Sequence, residues 1–215
     1  MRFTDRHDAG QRLAAKLLKY KNDPHAIVLG LPRGGVITAY ETAKILKLPL
    51  DIIVTRKIGA PGNPELAIGA VDDLGYALFN EEIISGLSVP QTYLEQAQIK
   101  EQTEAQNRLS RFRKKRPPLN LKGKTAILVD DGLATGATMR AAIHSARARH
   151  AQKIVVAVPV AASDSIEKIK KEVDEIVCVH IPFYFGAVGA FYEVFDQIED
   201  DEVAHVLQKS PKQDK

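Results

Sequence analysis

At 215 residues the chain is long enough for one sizeable core with an embellishment and short of two comfortable domains. Hydrophobic residues at 45% and charged residues at 27% are the proportions of a chain that buries a core, which excludes disorder and collagen-like order. Thirty basic side chains against 27 acidic ones leave a formal charge of +3, too even a balance to point to nucleic acid, and the single cysteine, Cys178, excludes an internal disulfide and a cysteine-rich zinc site.

In chain order, 5–20 reads as an amphipathic helix with Leu13, Leu17 and Leu18 on one face and Asp5 or Asp8 near its start to accept from free N–H groups. AIVLGL (26–31) is an apolar strand that runs into PRGG; 35–48 is a second helix and DIIVTRK (51–57) a second strand, together a right-handed β-α-β unit. IGAPGNP (58–64) is too rich in glycine and proline for regular structure, and 65–73 and 76–80 are short strands of an adjacent ribbon. A long polar helix covers 91–114 and stops before Pro117-Pro118. KTAILVDD (124–131) is the most strand-like window; a helix at 136–151, a strand at 153–161, a capped helix at 163–172 and a strand at 175–181 follow, with Cys178 a buried strand thiol and SPKQDK a frayed tail.

This alternation specifies an α/β fold, a Rossmann-like, doubly wound, mainly parallel sheet flanked by helices. No apolar window approaches the roughly 20 residues that span a bilayer and the charged start MRFTDRHDAG has no signal-peptide character, so a cytoplasmic protein without membrane contact is expected. Ligands in such sheets bind beyond the carboxyl ends of the strands, which directs attention to the residues after 31, 57 and 130.

AILVDDGLATGATM (126–139) sets two carboxylates at a strand end, then a glycine- and threonine-rich turn, then a helix start. Gly132 and Gly136 allow backbone conformations in which successive N–H groups converge on a phosphate, and the helix adds its positive end. Asp130 and Asp131, ionised, are acceptors only and would repel a phosphate, so they suit donors beside it. A ribose with free 2- and 3-hydroxyls and a 5-phosphate has that pattern. Gly123-Lys124-Thr125 lacks the upstream glycine of a Walker loop and precedes its strand, and no GxGxxG follows any strand.

ILVDDGLATGAT (127–138) resembles the phosphoribosyl-pyrophosphate (PRPP) signature of type I phosphoribosyltransferases. The resemblance implies ribose binding by Asp130 and Asp131 and 5-phosphate binding by Leu133, Ala134, Thr135, Gly136, Ala137 and Thr138. LGLPRGGV (29–36) stands where that family binds pyrophosphate, with Arg33 as cation, Gly34 and Gly35 as exposed backbone, and Pro32-Arg33 or Arg33-Gly34 as a candidate cis peptide. VTRKIGAPGNPELAIGAV (54–71) is similar to the strand, basic pair and lid of orotate-type members, so Arg56 and Lys57 would reach pyrophosphate. Residues 58–64 lack the further basic residues of that lid, and its chemistry does not carry over.

PFYFGAVGAFYEVF (182–195) gathers Phe183, Tyr184, Phe185, Phe191, Tyr192 and Phe195 and is faintly similar to the hood of purine salvage members; a packed cap or a dimer contact is an equal reading. The fold implied is a type I phosphoribosyltransferase fold, one domain over 1–215 with a helical insertion at 80–123 and a small C-terminal hood and helix at 181–208. The whole chain most resembles a bacterial branch of predicted phosphoribosyltransferases that shares the LPRGG, RKIGAPGNPE and VDDGxATGAT blocks.

The activity implied is transfer of a phosphoribosyl group from PRPP to a nitrogenous, nucleobase-like acceptor with release of pyrophosphate, with Asp130, Asp131, Arg56 and Lys57 as the catalytic set. Mg²⁺ is the cofactor implied, carried by the substrate and touching Asp130 or Asp131 only through water. The expected partners are PRPP and the acceptor; a homodimer stays open, and nucleic acid is not expected. RLSRFRKKR (108–116) has six cations and no carboxylate, and three readings compete: a solvated helix end, steering of sugar phosphates, or RNA binding. The last belongs to the rival function, a non-catalytic PRPP or nucleotide sensor that binds RNA or a protein. Phosphorolysis or hydrolysis of a nucleotide in the same pocket is a third reading. The six histidines have no metal-ligand spacing.

Overall fold

The computed structural model describes residues 1–114 and 116–211. Helix α1 (Arg6–Lys16) leads to strand β1 (Ala26–Gly30), α2 (Gly34–Leu46) and β2 (Leu50–Ile52); β3 (Thr55–Ala60), β4 (Asn63–Asp72) and β5 (Ala77–Phe79) follow, then α3 (Glu81–Gly86) and α4 (Gln91–Arg113). The second half runs β6 (Thr125–Val129), α5 (Ala137–Ala148), β7 (Lys153–Val160), α6 (Ser163–Ile169), β8 (Glu175–His180) and α7 (Asp200–Lys209).

Five strands form a wholly parallel sheet in the order β2-β1-β6-β7-β8. The aliphatic runs of the central strands β1, β6 and β7 are buried on both faces, as parallel strands covered by helices on both sides must be, whereas the edge strand β8 is half-buried. Alternate residues serve opposite layers. Val28 and Ile127 pack with Leu13, Leu17, Val36 and Leu46 under α1 and α2, and with Val203 and Leu207 of α7. Ile27, Leu29, Ala126 and Leu128 pack with Met139, Ile143 and Ile169 under α5 and α6. The chain leaves β1 for β2 on one side and later returns to β6 on the other, so the strand order reverses between β1 and β6. Gly30 pairs with Val129 there, and the two following loops open side by side at the carboxyl end.

Several elements differ from expectation. The window 51–57 is two strands: Leu50–Ile52 joins the parallel sheet, whereas Thr55–Ala60 turns into a separate antiparallel ribbon, β3-β4-β5. The stretch 58–64 is ordered within that ribbon, with β3 reaching Ala60 and β4 starting at Asn63. Gly62, at φ +73°, supplies the left-handed turn residue, and register shifts on either side of Gly59 absorb the irregularity. Ile58, Ala60, Ile68 and Val71 give the ribbon its own core against Val89 and Leu94, which is why it holds. Helix α3 falls inside the helical insertion expected at 80–123 but was not expected as a separate element; Asn80 caps it by accepting from the Ile83 amide at 3.3 Å. Helix α6 ends at Ile169 and its N-cap, Ala162, contributes no side-chain bond. Leu18 is half exposed in a short 3₁₀ turn instead of lying on the buried face of α1. Asp5 caps α1 by accepting from the Asp8 amide at 2.8 Å.

The basic stretch is engaged within the protein. Arg113 forks onto Asp51 with two bonds of 2.9 Å, and Arg116 lies 3.8 Å from the same carboxylate. Arg108 bonds Glu104 at 2.9 Å and Arg111 contacts Asp200 of α7. Four of its cations therefore have carboxylate partners, Arg113 and Arg116 sharing Asp51. Among the described residues no helix is long and apolar enough to cross a membrane.

At the amino end of the sheet, Glu175 of β8 accepts from Lys19 at 2.7 Å, the Tyr20 hydroxyl at 2.7 Å and Lys153 at 3.2 Å. Burial would raise its pKa, but these donors outweigh burial and hold the carboxyl at about 2, below the ordinary 4.5. A depressed folded-state pKa adds stability that is present above the unfolded value and is lost as pH falls from about 4.5 through about 2. Thermal melts of Glu175→Gln should accordingly show lower stability at pH 7 and a shallower fall across that acid window than the wild type.

Candidate active site

The loops after β1 and β6 enclose an open cleft of about 260 Å³. Its walls are Leu31 to Gly34 from the first loop, Asp130 to Gly136 and Thr138 from the second, Thr55 and Lys57 from β3, and Val188 from the C-terminal segment. The peptide Pro32-Arg33 is cis, one of the two bonds named from the sequence.

The residues expected to hold a phosphate, 133–138, form a turn that Leu133 anchors to the end of β7. Gly136, at φ +80°, opens α5 with no side-chain cap, so the first-turn amides of that helix keep their donors for a ligand. The Leu133 amide is already taken by the Val160 carbonyl at 2.9 Å, and Ser165 donates to the Ala134 carbonyl, which anchors the turn to β7 and α6. Leu133 thus shapes the cleft without a free N–H. Ala137 lines a neighbouring cavity with Phe79 and Arg140, and Thr135 borders both spaces.

Asp130 is half-buried, and desolvation of its carboxyl first, then the charge of Asp131, pushes that carboxyl well above the ordinary range. Its Oδ1 accepts from the Asp131 amide at 2.8 Å. Asp131 is held by two residues that carry no sequence motif: Arg6 Nε donates to its Oδ2 at 2.8 Å, and the Tyr192 hydroxyl donates to its carbonyl at 2.5 Å. Burial pushes the Tyr192 phenol up, so it stays a donor throughout the working pH range. Arg6 also donates from Nη1 to the Asp196 carbonyl at 2.8 Å, and its guanidinium carbon lies over Phe195, 3.8 Å from the ring centre.

The two glycines of PRGG have a steric reason for being there. A Cβ on Gly35 would lie 2.6 Å from Asp130 Oδ1, and one on Gly34 would lie 2.7 Å from Arg6 Nε and overlap Asp131 Oδ2. Both glycines are thus spaces that the acidic pair and its arginine fill.

The expected cations divide. Lys57 is exposed and lines the cleft, and its charge partly offsets the rise at Asp130. Arg33 lines the cleft as well but leans toward Glu199 and Asp200 at the start of α7, 3.6 and 3.8 Å away. Arg56, expected to reach the same ligand as Lys57, is not brought there: it pairs with Glu101 of α4 at 3.0 Å, because adjacent residues of a strand point to opposite faces. Of the aromatic segment, Tyr192 is buried against Phe3 and Phe195, whereas Phe183 and Tyr184 are exposed. Arg6, Thr55, Tyr192 and Val188 were not named as site residues from the sequence; only proximity to a strand end could have suggested Thr55.

The model of the phosphoribosyl transferase domain matches residues 4–192, a span that includes Arg6, both loops and Tyr192. The chain belongs to the phosphoribosyl transferase domain family. Relatives in this family include proteins of two Mycobacterium tuberculosis strains, CDC 1551 and H37Rv, each provisionally named a phosphoribosyl transferase and 43% identical over 208 residues, or 97% of this chain. The chain spans about half, 47%, of the length of these relatives. Among solved structures, the TT1426 protein of Thermus thermophilus is 40% identical, with a TM-score of 0.80 over 98% of this chain and 99% of its own.

In this phosphoribosyl transferase domain no group of three or more His, Cys, Asp or Glu side chains could hold a metal among the described residues. The cleft offers two adjacent carboxylates, one of them with an oxygen already bonded to Arg6. That donor set fits a hard cation which keeps its waters and takes its remaining oxygens from a bound phosphate ester, the coordination habit of Mg²⁺.

Proposed function

We propose that this chain transfers the 5-phosphoribosyl group of PRPP to a nitrogenous acceptor of nucleobase type, with release of pyrophosphate. The observation that carries the reading is the meeting, in one cleft, of an acidic pair, a glycine-opened helix start and two cations. Acceptors for ribose hydroxyls, donors for a phosphate and counter-charges for pyrophosphate are the three things PRPP requires.

In this reading Asp130 and Asp131 hold the ribose hydroxyls, and the backbone and hydroxyls of 134–138 hold the 5-phosphate. Lys57 and Arg33 neutralise pyrophosphate, Arg33 after it leaves the carboxylates of α7. Arg56 is left out of the set because Glu101 neutralises it. The bond from the anomeric carbon to the pyrophosphate oxygen breaks ahead of formation of the bond to the acceptor nitrogen. The ring therefore passes through a cationic state, and the protein acts by aligning the partners and stabilising the departing anion. Mg²⁺ carried in on PRPP, with Asp130 or Asp131 touching its water shell, would neutralise further pyrophosphate charge.

Calorimetric titration of PRPP with Mg²⁺ into the wild type and the Asp130→Asn/Asp131→Asn variant tests this. Binding that weakens about 10- to 100-fold or more in the variant, the range for losing charge-assisted hydrogen bonds, supports the site and justifies screening bases for pyrophosphate release. A wild type that does not bind PRPP overturns the reading; equal binding by both proteins overturns the ribose assignment.

A further inference from the structure

We infer that Arg6 is a positioning residue for Asp131, holding one carboxylate oxygen so that the other is presented to the ligand, and thereby joining the cleft to the C-terminal segment. The inference rests on the PRPP reading and deepens it.

The main chain of Asp131 is fixed from both sides, its amide on Asp130 Oδ1 at 2.8 Å and its carbonyl on the Tyr192 hydroxyl at 2.5 Å. Its side chain has a single protein donor, Arg6 Nε on Oδ2, and Oδ1 carries no hydrogen bond among the described residues. Without that donor nothing among the described residues fixes the carboxylate, which is then free to rotate about its side-chain bonds. Arg6 therefore decides where the acceptor oxygen of Asp131 points.

The guanidinium is itself over-determined. It is 8% exposed, bonded at Nη1 to the Asp196 carbonyl, placed over the Phe195 ring at 3.8 Å, and confined on its remaining side by Gly34, where no Cβ fits. A planar fork that satisfies two acceptors in fixed directions while lying over a ring is a task for arginine that lysine does not perform, because an ammonium has neither plane nor fork. An arginine needed only for bulk stability would not require a ligand-facing carboxylate as its main partner. The same fork links Asp196 and Phe195 to Asp131 and so ties the C-terminal segment to the acidic pair.

The test is a double-mutant cycle in PRPP affinity on the full chain with Mg²⁺, using Arg6→Ala, Asp131→Ala and the double variant, with a thermal melt of each. The expected result is a loss of about 10- to 100-fold in Arg6→Ala, as for loss of a charge-assisted bond, and no further loss when it is added to Asp131→Ala. Millimolar methylguanidinium should restore at least tenfold to Arg6→Ala, whose cavity accepts it, and nothing to Asp131→Ala. A structural role predicts lowered melting temperatures with unchanged or additive affinity losses, and either of those outcomes overturns the inference. Where Arg6→Ala fails to fold, Arg6→Lys carries the same cycle, since it keeps the charge and loses the fork. Wild-type protein that does not bind PRPP removes the transferase reading and this inference together; binding with additive losses removes this inference alone.

Discussion

Gly34→Ala is expected to destabilise the protein by about 3 to 5 kcal/mol and to weaken PRPP binding at least 100-fold. A methyl group at this position overlaps Asp131 Oδ2 and lies 2.7 Å from Arg6 Nε, and neither atom is the free end of a flexible chain. Arg6 cannot retreat, because Phe195 and the Asp196 carbonyl hold its far side. Asp131 must swing instead, which breaks a pair whose side chains are only 9% and 15% exposed and leaves the guanidinium without its anion. The stability loss is read from a urea or thermal transition and the ligand loss from calorimetry. A variant with wild-type values for both would show that the cleft relaxes freely and that the acidic pair is not held as the geometry indicates.

The second large effect is expected far from the cleft. Asp51→Ala should cost about 3 to 5 kcal/mol and lower the melting temperature by roughly 6 to 20 °C, given the 2 to 4 °C per kcal/mol usual at this chain length. Asp51 sits on β2 with its side chain 6% exposed, between Arg113 and Arg116, themselves 12% and 5% exposed. Arg116 also donates to the Leu50 carbonyl at 2.6 Å and to the Leu207 carbonyl, so it cannot escape to solvent. Burial pushes the Arg116 guanidinium down although Asp51 opposes it, and removal of Asp51 leaves two buried cations without an anion. The loss should be insensitive to salt, since buried pairs are screened much less than exposed ones. A small, salt-sensitive loss would place these cations in solvent and revive their use as a basic surface for RNA.

That pair of arginines illustrates what a sequence hides. RLSRFRKKR looks like free charge because its partners lie outside it, Glu104 one helical turn before Arg108 and Asp51 and Asp200 far along the chain, and only packing of α4 against β2 and α7 brings the latter two to it. Arg56 and Lys57 look alike for a related reason: adjacency in sequence conceals that a strand sends them to opposite faces, one to Glu101 and one to the cleft. The split of 51–57 into two sheets was equally hidden, since β-branched residues favour extended backbone without saying with which partner.

The sequence by itself determined the α/β alternation, the parallel core strands and the segments 31–35 and 130–138 as the loops to look for at the carboxyl end of the sheet, where they line the cleft. These depend on local periodicity, on strand propensity and on glycines at fixed offsets, all contiguous in the chain. The tertiary structure alone decided that Arg6 bonds Asp131 across 125 positions, that Gly34 is the space this pair occupies, and that Arg33 leans on α7. Such contacts are matters of direction and distance between side chains on different elements, and no spacing along a single chain encodes them.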